Sequence, residues 1–385
     1  MCWKKMEIEF RRTIDREDGM GTIKRFFECL IPVTACNLKC NYCYVIQRNN
    51  RKHEMAQLKY TPEQIGRALR QERLGGICYF SICGSGETTL QKDIEEIVFH
   101  ILREGHYVNI TTNGTIGIQL KKIIHRAQPY ISRLHFAFSF HYLELMQRGL
   151  IDDFFDNVNM IRRAGASIVV QLNLCDEYIP YLPEIEKICL ERIGAKPQLA
   201  ATRKEDIRLR HIELLTEYSE DEYIKLGERF DSPLFRFTMK NFNIQRKEFC
   251  YAGDWSGVLD LSTGIMRRCY SSYIYQDIFR NPEEKIRFLA VGNCCGSPFC
   301  MNSSHFMAIG VIPEIDTPSY ADLRNRKEAS WYTKDMYAFL SGKLCENNEE
   351  YKVIRKKICN LIGTGDGIVR GMRNIYKRIK KKGQA

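Results

Sequence analysis

Three cysteines stand within eight positions in TACNLKCNYCYV, residues 34–45: Cys36, Cys40 and Cys43, with Tyr42 and Tyr44 flanking the last. Thiols this close together serve metal chemistry, and their number is informative. A cube-shaped iron-sulfur cluster has four iron corners, so three thiolates leave one iron open to an outside ligand, as a catalytic metal site keeps one position free. The competing reading is a zinc knuckle, which closes its site with a fourth donor such as His53 or another cysteine.

A second set of cysteines lies farther along. CYAGDWSGVLDLSTGIMRRC runs from Cys250 to Cys269, and GNCCGSPFC adds Cys294, Cys295 and Cys300. Two thiolates bridged by a small hairpin, joined by another pair, satisfy all four irons of a further cluster. The expected ligands are Cys250, Cys269, Cys294 and Cys300, with Cys295 able to replace Cys294 and Cys345 as an outside contributor. A zinc ribbon is the alternative, because sulfur spacing alone does not name the metal.

Composition agrees with metal use. Sixteen cysteines in a 385-residue chain, with no export signal in MCWKKMEIEFRRTIDRED, point to free thiols in a reducing compartment, so the cytoplasm is the expected location. A hydrophobic fraction of 44% fills a proper core, and no run of about eighteen uncharged apolar residues is present. The net charge of +11 is concentrated in GIVRGMRNIYKRIKKKGQA at the C-terminus. Ile368, Val369, Met372, Ile375, Tyr376 and Ile379 recur there at helical spacing opposite a basic face. A packed surface helix is the preferred reading, an anionic membrane surface is the alternative, and nucleic acid is not expected.

The positioning elements follow from periodicity. Six β-branched and aromatic runs, RFFECLIPV, ICYFSIC, YVNITT, LHFAFSF, SIVVQLNL and PQLAA, alternate with amphipathic stretches such as TPEQIGRALRQER and QKDIEEIVFHILREG. Repeated βα units predict a parallel sheet. Six units leave a barrel of this kind open on one side, with the chemistry at the C-terminal ends of the strands. The expected fold is α/β: a partial (β/α)6 TIM-like barrel, a small cysteine-rich domain and a helical C-terminal tail. The expected divisions are an N-terminal segment 1–24, the barrel 25–205, a connector 206–249, the cysteine-rich domain 250–345 and the tail 346–385. Cys29, Cys78, Cys83 and Cys189 lie in apolar segments and read as core residues.

Cys36-x3-Cys40-x2-Cys43, with an aromatic residue before the last cysteine and a position just after the first strand, resembles the signature of the radical S-adenosylmethionine (SAM) enzymes. The resemblance implies a 4Fe-4S cluster whose open iron is chelated by SAM, and reductive cleavage of SAM to a 5′-deoxyadenosyl radical that abstracts a substrate hydrogen atom. It also implies an external electron donor such as flavodoxin or ferredoxin. By the same resemblance Tyr42 lies near the adenine, and Gly86 and Glu87 in ICGSGETTL match the family's Gly-Gly-Glu segment that receives the SAM amino group; Thr88 stands where proline is commoner. Asn113, Ser139 and Asn173 are polar residues at strand ends that could bind the ribose or carboxylate of SAM, and Arg203 is a further candidate for the carboxylate.

Cys250-x13-Gly264-x4-Cys269 resembles the opening of the auxiliary-cluster extensions called SPASM and twitch. The four-cysteine run of a full SPASM pattern is missing, which implies one auxiliary 4Fe-4S cluster in the manner of twitch. Relatives with one such cluster oxidise or isomerise small polar molecules. The expected substrate is a sugar-like, anionic small molecule; radical modification of a ribosomally made peptide by a SPASM-type maturase is the alternative, and a zinc-binding scaffold is the reading from another class. Cys175, after the fifth strand, is a candidate hydrogen-atom donor for an epimerisation.

Overall fold

The apolar runs are buried on both faces, as parallel strands covered by helices must be. They form β1 (Arg25–Ile31), β2 (Cys78–Gly84), β3 (Tyr107–Thr112), β4 (Leu134–Ser139), β5 (Ser167–Leu174) and β6 (Gln198–Ala201). Each pairs in parallel with the next. In the computed structural model, residues 21–204, 212–270, 272–293, 295, 300 and 303–365 are described. The basic helix expected over 368–379, like Cys294, lies outside them.

Helices α1 (Pro62–Ala68), α2 (Ile94–Arg103), α3 (Gly117–Ala127), α4 (Ile151–Arg163) and α5 (Leu182–Ile193) connect the strands. Thr61 caps α1 through a reciprocal bond with Gln64, and Pro62 occupies the first turn, where its missing N–H costs nothing. The helix expected over 61–73 breaks at Leu69 and Arg70, and a single turn resumes at Gln71. The next helix begins at Ile94 rather than Gln91, because the Gln91 amide exchanges two hydrogen bonds with the Ala56 backbone, at 3.0 and 3.1 Å. Cys29, Cys78 and Cys189 are core residues.

A short hairpin of β7 (Arg203–Lys204) and β8 (Glu213–Leu214) follows, then α6 (Glu220–Glu228) and α7 (Pro233–Lys240), which packs on β6. The cysteine-rich region then returns to the other edge of the sheet. Its first strand, β9 (Ser256–Asp260), pairs in parallel with β1, from Phe26 opposite Ser256 to Leu30 opposite Asp260. Strands β10 (Ile265–Arg267) and β11 (Tyr275–Asp277) extend it antiparallel, giving the order β11-β10-β9-β1-β2-β3-β4-β5-β6. Gly264 closes the β9–β10 turn at φ +77°, where a Cβ would lie 2.7 Å from Asp277 and Phe279.

The region beyond residue 250 is thus continuous with the central sheet and covers an edge of β1 that would otherwise offer unpaired backbone groups. A buried ion pair, Arg25 to Asp254 at 3.1 Å, fixes the same seam, and the Arg25 guanidinium lies 3.8 Å from the Phe288 ring centroid. Helices α8 (Tyr320–Arg324) and α9 (Lys334–Ser341) follow, and 353–365 are helical. No helix among the described residues is long and apolar enough to cross a membrane.

Candidate functional site

The cysteine loop leaves the C-terminal end of β1 and is held by backbone bonds before any cysteine is reached. Thr34 and Ala35 donate to the Glu54 carbonyl at 2.9 and 3.2 Å, while Gly86 and Glu87 donate to Val33 and Ala35 at 2.6 and 2.8 Å. These bonds explain Gly86. A Cβ there would sit 2.0 Å from the Ala35 carbonyl oxygen, so the missing side chain lets the end of β2 lie against the loop.

Farther along, the loop is tied to the ends of the next strands. The Asn113 amide, after β3, donates to Asn37 at 2.8 Å and contacts the Cys36 sulfur at 3.9 Å, and Asn37 donates to Thr115 at 2.7 Å. Glu144, after β4, accepts from the Lys39 N–H at 2.8 Å. Glu177, after β5, accepts from Asn41 at 3.0 Å. The three thiols therefore stand at the C-terminal mouth of the sheet, on a loop anchored to four neighbouring strands.

Glu87 is the centre of this stitching. Its carboxylate, 2% exposed, accepts from the Thr89 N–H at 3.0 Å, the Thr89 and Thr112 hydroxyls at 2.6 Å each, and the Asn113 N–H at 2.7 Å. It joins the end of β2 to the end of β3 and sets the backbone from which Asn113 reaches Cys36. Glu87→Gln puts an amide donor where an acceptor is required, at a cost of about 1–3 kcal/mol for the buried group left unpaired. The expected result is a melting temperature lower by several degrees and faster amide exchange at Asn113, measured by calorimetry and hydrogen-exchange mass spectrometry; unchanged exchange there contradicts the assignment.

Burial pushes the Cys36 thiol up, with Glu87 and Cys43 adding to the effect and Arg51 opposing it. The Cys40 thiol is pushed up to about 12 by burial, then by Glu144, Cys36 and Cys43. The cysteines thus act on one another, and without a metal Cys36 and Cys40 stay protonated. Metal binding must expel those protons, which makes it pH-dependent. Clustered thiols at a strand-end mouth, held by backbone ties, fit an iron-sulfur cluster.

Tyr42 is half-buried, with its hydroxyl 2.7 Å from His141 Nδ1 and 3.0 Å from the Tyr178 hydroxyl. Burial holds His141 down to about 4 and raises Tyr42 well above the usual phenol range, so a neutral phenol meets a neutral imidazole. Cys175 lies 5% exposed at the end of β5, pushed up to about 12 by burial with Glu177 and Asp176. Its neighbour Tyr178 donates its N–H to the Cys175 carbonyl at 3.0 Å and meets Tyr42 of the three-cysteine loop through its hydroxyl at 3.0 Å.

Gly86, Glu87 and Asn113 are thus brought to the cysteine loop. Ser139 and Asn173 are half-buried at the ends of β4 and β5, in register with Gln171 and Ala200, and among the described residues neither side chain hydrogen-bonds to the loop. Arg203 is tied to the loop through its backbone, its carbonyl accepting at 3.2 Å from the Gln47 amide that also donates to the Tyr42 carbonyl at 2.9 Å, and it lines an open cleft with Gln171, Ala200, Asn241, Cys300 and Ser304.

In the second field, burial pushes the Cys250 thiol well up, with Cys269, Cys295 and Cys300 adding to it. These four converge from separate places: Cys250 is bridged to Gly292 by backbone bonds of 3.3 and 3.0 Å, and Cys269 follows β10. Cys345 lies elsewhere, packed against Gly310 and acted on by Glu346 and Lys343. Among the described residues, no three His, Cys, Asp or Glu side chains form a group that could hold a single metal ion.

One feature of the interior escaped the sequence reading. Glu28, Ser81, Asn109, His135 and Ser167 lie side by side across β1 to β5, a polar row in an otherwise apolar sheet. Burial raises the Glu28 carboxyl to about 7 against the pull of Arg324. Polar residues within these apolar runs are visible in the sequence, but only the register shows which of them align across the sheet.

Residues 30–188 match the family described as the Radical SAM superfamily. A stretch of 90 residues is 32% identical to the GTPase Obg of Brachyspira hyodysenteriae (strain ATCC 49526 / WA1), covering 23% of this chain and 13% of that protein. The chain thus spans about an eighth of the length of that curated relative. Among solved structures, Streptococcus suis SuiB bound to S-adenosylmethionine is similar with a TM-score of 0.49 and 15% identity, over 71% of this chain and 67% of that one. Native anSMEcpe with bound AdoMet is similar with a TM-score of 0.44 and 13% identity, over 91% and 100% of the two chains. The family implies a 4Fe-4S cluster and SAM, the chain carries a radical SAM domain over residues 30–188, and it is an enzyme.

Proposed function

We propose that Cys36, Cys40 and Cys43 hold a 4Fe-4S cluster with one iron left for SAM, and that the enzyme uses it to oxidise or epimerise a small polar, sugar-like substrate. The observation that carries this reading is the anchoring of the three-cysteine loop to the ends of β2, β3, β4 and β5. When bound, the cluster and SAM supply a 5′-deoxyadenosyl radical that takes a hydrogen atom from the substrate. The chain's own residues orient and exclude water. Glu87 and Gly86 fix the loop against the ends of β2 and β3, Asn113 approaches Cys36, and the Tyr42–His141–Tyr178 contacts brace the loop from the side of β4 and β5. Ser139 and Asn173 are assigned to the ribose and carboxylate of SAM, while Arg203, on the wall of the cleft, is assigned to the substrate. Residues 25–205 are the unit that performs this chemistry, with an electron delivered by a flavodoxin or ferredoxin.

Cys250, Cys269 and Cys300 are assigned to one auxiliary 4Fe-4S cluster within 250–345, with Cys294 as the fourth thiolate and Cys295 as its alternative. The action of Cys269 and Cys300 on Cys250 supports the shared three. The cleft lined by Gln171, Asn241, Asn243 and Arg203 favours a small polar substrate, because amides and a guanidinium recognise hydroxyl and anionic groups.

The reading is tested by incubating the anaerobically reconstituted chain with SAM and dithionite. The expected products are methionine and 5′-deoxyadenosine, and their absence from a sample that contains iron contradicts it. Cys175→Ala then separates the two reactions. As a buried, protonated thiol, Cys175 can return a hydrogen atom to a substrate radical, so its loss abolishes an epimerisation and diverts the substrate to reduced or oxidised side products. Undiminished product formation, followed by mass spectrometry in deuterated buffer, removes Cys175 from that role.

A further inference from the structure

Arg324, on α8, is 3% exposed, and its contacts are neutral. Nη1 donates to the Gln171 side-chain oxygen at 3.2 Å, Nη2 lies 3.3 Å from His305 Nε2, and the guanidinium stands 4.7 Å from the Tyr320 ring centroid. Its Nε has no hydrogen-bond partner among the described residues. No carboxylate among the described residues lies within ion-pair distance of it, and Asp322, two positions earlier, is engaged by Lys327, Ser319 and Tyr337. A guanidinium removed from water is costly unless a full counter-charge stands against it, and the acid that acts on Arg324, Glu28, is itself raised to about 7 by burial, so the incomplete pairing calls for an explanation.

The cleft beside it supplies one. Gln171, whose oxygen is taken by Arg324, is a lining residue, and so are Arg203 and Ser304, the neighbour of His305. With its oxygen held, the Gln171 amide has its N–H groups left to donate. Both Arg203 and Arg324 act on His305, whose burial and these two cations keep it neutral, so it adds no competing charge of its own. Glu28 is the acid that acts with Arg324 from the sheet, and its burial outweighs the attraction.

We infer that the cleft lined by the ends of β5 and β6 and by Cys300 and Ser304 binds a carboxylate or phosphate of the substrate, contacted by Gln171 and Arg203, with Arg324 as the positioning residue that orients Gln171 and supplies the buried positive charge. The inference rests on the proposed function only in giving that anion to the substrate rather than to SAM.

The test follows the melting temperature of the full chain, anaerobically reconstituted and saturated with SAM, against malonate and against inorganic phosphate. The wild type gains stability with at least one of these anions, Arg324→Gln loses the gain, and Arg324→Lys, which keeps the charge, retains part of it. Without anion, Arg324→Gln melts no lower than the wild type, because it removes an uncompensated buried charge. The proposal is overturned if neither anion stabilises the wild type, if Arg324→Gln responds as the wild type does, or if it melts well below the wild type without anion, as a structural arginine would. A gain seen without SAM and abolished by saturating SAM assigns the site to the cofactor's carboxylate and also overturns it. Iron content of the same samples reports separately on the cluster reading, whose failure would leave the anion response of the chain still to be read.

Discussion

Cys36→Ala, Cys40→Ala and Cys43→Ala, made together, remove about four irons per chain and abolish formation of 5′-deoxyadenosine while the fold persists. The first half of the expectation follows from the loop: no other thiol is carried on it, and Cys36 and Cys40, raised chiefly by burial, also act on one another and feel Cys43. The second half follows from what holds the loop. Its ties to Glu54, Gly86, Glu87, Glu144 and Glu177 run through backbone groups and through Asn41, none of which the substitutions touch. Iron analysis, absorbance near 400 nm and far-ultraviolet circular dichroism measure the three parts. Each single substitution is expected to lower iron retention as well, because a cluster held at two corners has lost one of its three protein thiolates. Full iron and undiminished cleavage in the triple variant would remove the loop from the chemistry.

Replacing Cys250, Cys269 and Cys300 by alanine removes a second portion of about four irons and ends substrate turnover, while the absorbance that remains still responds to SAM. The argument rests on convergence. Cys250 is tied to Gly292, Cys269 follows the hairpin strand β10, and Cys300 lines the cleft, yet Cys269, Cys295 and Cys300 all act on Cys250. Such residues, far apart in the chain, gain by being cross-linked through a cluster, so the variant also loses stability. The loss is moderated because β9 is hydrogen-bonded to β1 and Arg25 is paired with Asp254, both independent of any metal. Cys295→Ser compared with Cys294→Ser identifies the fourth thiolate: the ligand's substitution lowers iron, and its neighbour's does not. Iron unchanged in the triple variant would contradict a second cluster.

The sequence made the strands legible because each is an apolar, β-branched run between clear breaks; YVNITT and SIVVQLNL coincide with β3 and β5 residue for residue. Helix ends were less so. The Gln91 bonds to Ala56 and the break at Leu69 depend on partners distant in the chain, which periodicity does not report. At the site, the cysteine spacing was visible because it is local. The reason for Gly86 was not, since the atom it avoids, the Ala35 oxygen, belongs to a loop about fifty residues earlier. Glu87 was expected to face a cofactor, and the structure adds that its four bonds go to Thr89, Thr112 and Asn113. The pairing of β9 with β1 and the row from Glu28 to Ser167 required register, a non-local quantity. Arg324 was passed over because a single arginine in YADLR carries no pattern; only its burial beside Gln171 sets it apart.

The most direct test of the central claim is a Mössbauer spectrum of the chain reconstituted with iron-57, in the variant lacking Cys250, Cys269 and Cys300, recorded before and after SAM is added. The account predicts a single 4Fe-4S cluster in which one iron in four changes its isomer shift when SAM binds, because that iron alone has no cysteine. A spectrum that SAM leaves unaltered, or a chain that holds no iron in this variant, would contradict it.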